Sequence, residues 1–437
     1  TYTVRLTVDG VTVTQPITVR LDPRVTLTPV ALQQLNMLSS SLYWEAVTAH
    51  KAFLDAVALA KTLDGRSGTV GTKGLVSVTG AITDAANLNV QDAAGATFAA
   101  VTAQTVQLAN TITGVVAFNG DLTVAGQFSA AKGSTADISI VGALNDIGGP
   151  VAFLNTGALI IGDNNNDNTR FHSGVSRSLN TKLQGIVAFD GPVTLGSANA
   201  TTSGGNLALS AESLNLAYGP GNAFGALSIV TNFATVFTAG ALASTTLSVD
   251  AATIGQTNGT LAPTGAVTLT ATGAITLAGA NNLGGDVTFN GAAVTINDAT
   301  ALPLAGASTA TGNLVLTSSN GISQTGGSVS VTGTTTLTSA GNDISLNQSG
   351  NAFAGTVGFS GANVDITDST ALELVQSNAT GNLSLSGGST GITQSGKLTV
   401  GGNTTARAAS GDINLGNTAN AFTGSVGLTG VNATLTD

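Results

Sequence analysis

The chain has 437 residues, of which only 8% are charged and 4% aromatic; an ordinary globular domain is roughly 25% charged, so the surface is not that of a typical soluble enzyme. A hydrophobic content of 42% argues against disorder, and a net charge of −10 argues against nucleic acid, whose recognition needs a basic face. The absence of cysteine removes a disulfide framework, a thiolate metal site and a cysteine nucleophile, and no run of about 18 apolar residues marks a membrane span.

In the first segment, residues 1–27, Tyr2, Val4, Leu6 and Val8 alternate with polar residues, and Val11 and Val13 repeat the pattern. Asp9-Gly10 lies between the two runs, and this dipeptide accommodates the positive φ angles of a two-residue turn. The pattern predicts a β-hairpin with one face buried, as part of a sandwich. Residues 28–65 read differently. Thr28-Pro29 is an N-cap followed by proline at the first helical position, and Gly65 is a C-terminal stop. Between them, Leu35, Leu38, Leu42, Ala46, Ala49, Phe53, Ala56, Ala60 and Leu63 recur at spacings of three and four, which is one apolar helical stripe. Trp44, Glu45 and His50 fall on this helix and are read as packing and solvated-face residues.

The stretch TYTVRLTVDG, then TQPITVRLDPRV and a helix beginning LQQL, resembles the C-terminal tail of bacterial sortilin-type, BNR-repeat proteins often labelled glycosyl hydrolases. The likeness covers about the first 60 residues and none of the propeller. It therefore implies an appended structural module and not a hydrolase.

Residues 66–437 form the third segment, with short Val-, Leu- and Ile-rich runs every few residues between Gly, Asn, Ser and Thr. The frame apolar-x-Gly-x-Val-x-Phe/Leu has its Gly at 114, 149, 185, 285, 355 and 424. Its copies Gly285-x-Val287-x-Phe289, Gly355-x-Val357-x-Phe359 and Gly424-x-Val426-x-Leu428 stand 70 and 69 residues apart, and earlier copies show a half-unit near 35. Fixed periods of this kind mean a solenoid or a propeller, and strands this short favour a parallel β-helix. Seventy residues divide into three coils of roughly 23, with about 16 coils stacked at about 4.8 Å each. In the copy at Asn351, Val357, Phe359, Val364 and Ile366 are predicted to point inward. Asn351 and Gly355 are assigned to turns, where Gly permits positive φ and Asn or Thr can form ladders. The copy at Asn420 halts at Asp437 with no polar cap, and the expectation is an excerpt of a longer chain.

The passages GAVTLTATGAITLAGANNLGGDVTF, GNLVLTSSNGISQTGGSVSVTG and GNLSLSGGSTGITQSGKLTVGG resemble filamentous haemagglutinin-type exoproteins and autotransporter-like adhesins. The resemblance implies a right-handed β-helix, export to the bacterial surface and adhesion. The secretion signature of that family is not seen in this sequence.

One polar cluster stands out, GDNNNDNTRFHSG at 162–174. Asp163, Asn165 and Asp167 have the alternate spacing of a calcium loop, but Asn168 and Gly174 replace its glycine and its glutamate. The competing reading is a turn whose Asx side chains cap the backbone. Apart from calcium at these three residues, no cofactor is expected. Four basic residues, Arg170, Arg177, Lys182 and His172's neighbourhood apart, are few in the repeat, and the basic residues with Asp163, Asp167 and Asp190 crowd into 163–190. A polysaccharide-cleaving site, which needs converging carboxylates, would be there. Asp298 and Asp368 recur with the repeat and read as turn residues.

The expected function is a non-enzymatic extracellular β-solenoid, the stalk or adhesive segment of a large bacterial surface or secreted protein. Its partners would be glycans or proteins of host or neighbouring cells. The alternatives are a carbohydrate-active β-helix and a self-associating matrix or filament protein.

Overall fold

The computed structural model describes residues 2–18, 28–63, 67–71, 73–177, 181–195, 206–217, 223–339 and 341–437. The chain divides into two units, Thr1–Lys61 and Thr62–Asp437.

In the first unit, β1 (Tyr2–Val8) and β2 (Val11–Ile17) pair antiparallel, with Val8 opposite Val11 and Tyr2 opposite Ile17. Asp9 and Gly10 turn the hairpin at φ angles of 47° and 80°, as the Asp-Gly signal requires. The expected buried face is absent. Val4, Leu6, Val8, Val11 and Val13 are all exposed, because a two-stranded ribbon has no second layer to pack its apolar side against. The Asp-Pro-Arg-Val stretch at 22–25 and Gly65 lie outside the described residues. Helix α1 spans Pro29–Leu63. Its N-cap is the expected one: the Thr28 hydroxyl accepts the Ala31 N–H at 3.2 Å, satisfying one orphan donor of the first turn.

The second unit is an all-β parallel solenoid of about 17 turns. Among the described residues, a sheet of 25 strands runs through it, joined by a six-stranded sheet that starts at Leu75–Val78 and ends at Thr181–Leu183. A 17-strand sheet begins at Val175–Arg177 and continues to Ala433–Leu435. Along each strand, burial alternates: in Val287–Gly291 the residues at 287, 289 and 291 are buried, and in Leu314–Ser318 those at 314, 316 and 318. This is the period-two pleat with one face turned into the coil. Each Val, Leu or Ile so buried contributes about 1.5–3 kcal/mol relative to exposure.

Stacked partners sit 20 residues apart in the central coils, through Leu207, Leu227, Leu247, Val267 and Val287. The coil is therefore shorter than the expected 23. The reason lies in how the sequence repeat maps onto the stack. Asn290 stacks under Thr309, Ser330 and Ala352 in three successive coils of the 25-strand sheet. The next copy of the phrase, at Val357 and Phe359, then opens in the 17-strand sheet. Val426 and Leu428, one repeat later, are back in the 25-strand sheet. One 70-residue repeat is three and a half coils, and the two sheets exchange roles at each repeat. The two halves of a coil must thus accept the same side chains, a local two-fold relation that the sequence period alone does not reveal.

The inward assignment of Val357, Phe359, Val364 and Ile366 holds, all four being buried. Val426 and Leu428 are half-buried because no further coil covers them. Gly285, Gly355 and Gly424 lie at corners, but positive φ is not their reason. A Cβ on Gly355 would come within 2.3 Å of the Gly333 carbonyl oxygen in the coil below, and one on Gly424 within 2.4 Å of that of Gly402. They are glycines because stacked backbones touch there. Positive φ belongs to Gly321 and Gly391, at 101° and 100°.

Asn351 is not a surface turn residue: it is fully buried, as is Asn281. Its Oδ1 accepts the Val329 N–H and the Gln324 side-chain amide, both at 2.8 Å, while its Nδ2 donates to Gln324 Oε1 at 2.8 Å and Leu346 O at 3.0 Å. The same amide pair recurs as Gln256 with Asn281 and as Gln394 with Asn420. Both groups of each amide are thereby satisfied without water, which is what lets them lie in an apolar interior.

Candidate functional site

Outward-facing side chains of the 25-strand sheet build the most strongly charged cluster. Register places Thr123, Asp146, Arg170 and Ala188 side by side in four successive coils. His172 and Asp190 lie two residues beyond Arg170 and Ala188, held by ladder bonds from His172 N–H to Ile147 O and from Asp190 N–H to Phe171 O. The parallel pairing fixes the four charged residues on one flank, because alternate residues of stacked strands share a face. Arg170 Nη2 donates to both oxygens of Asp190 at 3.1 and 3.2 Å. The His172 ring nitrogens contact Asp146 at 2.9 Å and Asp190 at 2.7 Å. These groups are one-third to more than half exposed, so each pair contributes about 0.2–1 kcal/mol and weakens with salt. Chemically, the flank offers an imidazole held between two carboxylates and a guanidinium with donors to spare, beside a shallow depression that also includes Asp121 and Asn168.

The loop at 162–167 uses its polar side chains on backbone. Asp167 is buried, and its Oδ2 accepts the N–H groups of Asp163 and Asn164, both at 2.9 Å. The Asn165 carbonyl oxygen takes the Gln184 amide at 3.1 Å and the Asn206 N–H at 2.9 Å, tying the loop to later coils. Asp163 itself is exposed at the loop's start. Burial raises its carboxyl above the ordinary value, the Asp167 charge adds to this, and Lys182 opposes it. The three residues with calcium-loop spacing thus point their oxygens at different partners, as Asx capping does. Among the described residues, no group of three or more His, Asp or Glu side chains is disposed to hold a metal ion.

Of the residues crowded into 163–190 in the sequence, the structure brings Arg170, His172 and Asp190 together and sends Arg177 elsewhere. Arg177 is buried, and its guanidinium donates to the carbonyls of Phe153, Asn155 and Gly157 and to Asn155 Oδ1. Burial lowers its pKa. It clamps the turn at 153–157 and takes no part in the charged cluster. Asp146 was not legible as a partner, since it precedes His172 by 26 residues. The coil length is the signal that would have found it. Tyr218, the one sugar-stacking candidate in the repeat, lies outside the described residues.

A second feature repeats at coil after coil. The Oδ1 atom of Asp343 accepts the N–H of Asn363, that of Asn363 the N–H of Asn382, that of Asn382 the N–H of Asn403, and that of Asn403 the N–H of Ser425, at 2.9–3.1 Å. Each Asx stands just before a strand and reaches the same position one coil on. The ladder lies exposed along the flank and borders a groove with Ser345, Asp365, Ser384 and Thr405.

Residues 224–290, 291–360 and 361–429 each match the model of a family described as repeats of unknown function (DUF5649), and together they span just under half of the chain. The boundaries of the second and third copies fall at Gly291 and Gly361, the same place in the phrase and in opposite sheets. Neither the curated proteins nor the solved structures give a match to the chain.

Proposed function

We propose that the protein is a non-enzymatic, extracellular β-solenoid that serves as the stalk or adhesive segment of a large bacterial surface or secreted protein. The observation that carries this reading is the exposed ladder from Asp343 to Ser425, which presents the same polar group at successive coils. A surface that repeats at coil spacing engages a repetitive ligand, such as a glycan chain, through many weak contacts whose avidity exceeds any one of them. A chain without cysteine needs no oxidising step to fold outside the cell. Glycans or proteins of host or neighbouring cells are the partners this surface suits.

The charged flank supports a second reading, a carbohydrate-active β-helix working at Asp146, Arg170, His172 and Asp190. One experiment separates the two. The purified chain is assayed for binding to immobilised glycans and cell surfaces and, in parallel, for release of reducing ends from acidic and neutral polysaccharides. The stalk reading expects binding that weakens when Asn363, Asn382 and Asn403 are replaced together by Ala, and no turnover. Turnover that disappears in Asp146→Asn or Asp190→Asn, with the β spectrum unchanged, would replace it with the enzymatic one.

A further inference from the structure

Helix α1 carries a feature that its N-cap and length do not explain. From Leu32 onwards, its apolar residues follow a strict heptad, with Leu32, Leu35, Leu42, Ala46, Ala49 and Phe53 at the two core positions and Ser39 as the one polar member. In sequence the same spacing continues through Ala56 and Ala60 to Leu63. A 3.5-residue repeat kept over four heptads is the pattern of a helix that supercoils with another, not of one lying on a globular core. Leu35, Leu42 and Phe53 are 51%, 57% and 60% exposed. A lone helix with such a face gains nothing from its apolar stripe, and packing of that stripe is what stabilises most protein helices.

We propose that α1 associates with the same helix of further copies of this chain as a parallel coiled coil. Charge placement selects this occupant. With Ala46 and Ala49 in the core, Glu45 and His50 fall on the two flanking positions that face each other across a parallel pair, five residues apart, so Glu45 of one copy meets His50 of the next. The remaining ion pair, Lys51 with Asp55 at 3.4 Å, lies within one helix on its outer side. A membrane surface suits the helix less well. Glu45 and Asp55 offset Lys51 and Lys61, whereas interfacial helices carry a basic polar face, and no helix among the described residues is long and apolar enough to cross a membrane. This inference concerns α1 alone and stands whether or not the solenoid is adhesive.

The test uses the full chain. Sedimentation velocity from micromolar to hundreds of micromolar should give a mass of two or more chains, falling to one chain in the double variant Leu42→Asp, Phe53→Asp. Because the chain has no cysteine, a single introduced thiol reports alignment directly. Oxidised Ala49→Cys should form a covalent dimer about tenfold more than Lys51→Cys, since only paired core positions bring Cβ atoms within disulfide reach. The cross-linking arm stands even if the double variant loses its helix. A single-chain mass across the whole series overturns the proposal. So does association without preferential Ala49→Cys cross-linking, and so does α1-dependent binding to phosphatidylcholine–phosphatidylserine vesicles by a chain that stays single.

Discussion

Asn351 shows what one side chain does when a solenoid repeats it. It closes its own coil through Leu346 O, joins the coil before it through Val329 N–H, and fills both hydrogen-bonding needs of Gln324. Truncation to Ala strands the Gln324 amide and a buried N–H, and a stranded buried polar group costs about 1–3 kcal/mol. The expected loss for Asn351→Ala is about 2–4 kcal/mol by urea titration. A double-mutant cycle with Gln324→Met should show the two losses to be strongly non-additive, because the second change removes groups already stranded. Additive losses would mean that the amides do not act as a pair. At Asp368, Oδ1 accepts the N–H and hydroxyl of Thr370, both at 2.8 Å, while buried Oδ2 has no hydrogen-bond partner of ordinary geometry. Burial raises its pKa above 3.8 against the bonds from Thr370. The folded chain then holds the Asp368 proton more tightly than the unfolded one. That contribution is complete below pH 3.8 and is lost as pH rises through the raised value. Relative to Asp368→Asn, wild-type stability should therefore rise on acidification from neutrality towards pH 3.8, and a difference flat in pH would remove this account.

At the scale of elements, the early coils are held by a spine that sequence reading touched only in part. Phe98, Phe118, Phe128, Phe153, Phe171 and Phe189 stack ring on ring, with centroids 4.9–6.2 Å apart. Four of these phenylalanines were visible in the sequence, three through the Gly-x-Val-x-Phe frame at 118, 153 and 189 and one in the similar run ending at Phe98. Phe128 and Phe171 belong to other phrases and join the spine only because parallel register brings them there. Phe118 touches two rings and is fully buried, so Phe118→Ala is expected to cost about 3–5 kcal/mol in guanidinium titration. Phe233→Ala, on an exposed side chain, should stay within about 0.5 kcal/mol. The hairpin teaches the converse. Its strands and turn were legible from Asp9-Gly10 and the alternation, but the alternation alone could not say whether a second layer exists to bury one face.

At the scale of the molecule, the half-coil mismatch makes an unusual prediction. Deleting residues 291–360 removes one sequence repeat and joins Asn290 to Gly361, keeping the phrase intact while turning all later strands into the opposite sheet. Because both halves of a coil accept the same side chains, this deletion should melt within about 5 °C of the full chain. Deleting residues 291–352 removes three whole coils and leaves every later strand in its own sheet. It joins Asn290 to Phe353, however, and discards Asn351, so its midpoint should fall well below that of the first deletion. The opposite order would show that sheet identity, not phrase identity, governs stacking.

The sequence by itself determined the class of fold. Short apolar runs between Gly and Asn allow only brief strands, and identical phrases at fixed spacing can bury their apolar faces only against one another. It also determined the hairpin turn, the Thr28 cap, and the inward direction of Val357, Phe359, Val364 and Ile366. Tertiary structure alone decided the coil length, since a 70-residue period is compatible with any number of half-coils and only the register counts them. It decided that Gly355 is fixed by the backbone of the coil below, and that Asn351 is buried, since an interior amide looks like a turn amide until its partner 27 residues away is known. It also decided that Asp146 meets His172, because the side chains of a solenoid find their neighbours one coil away and not along the chain.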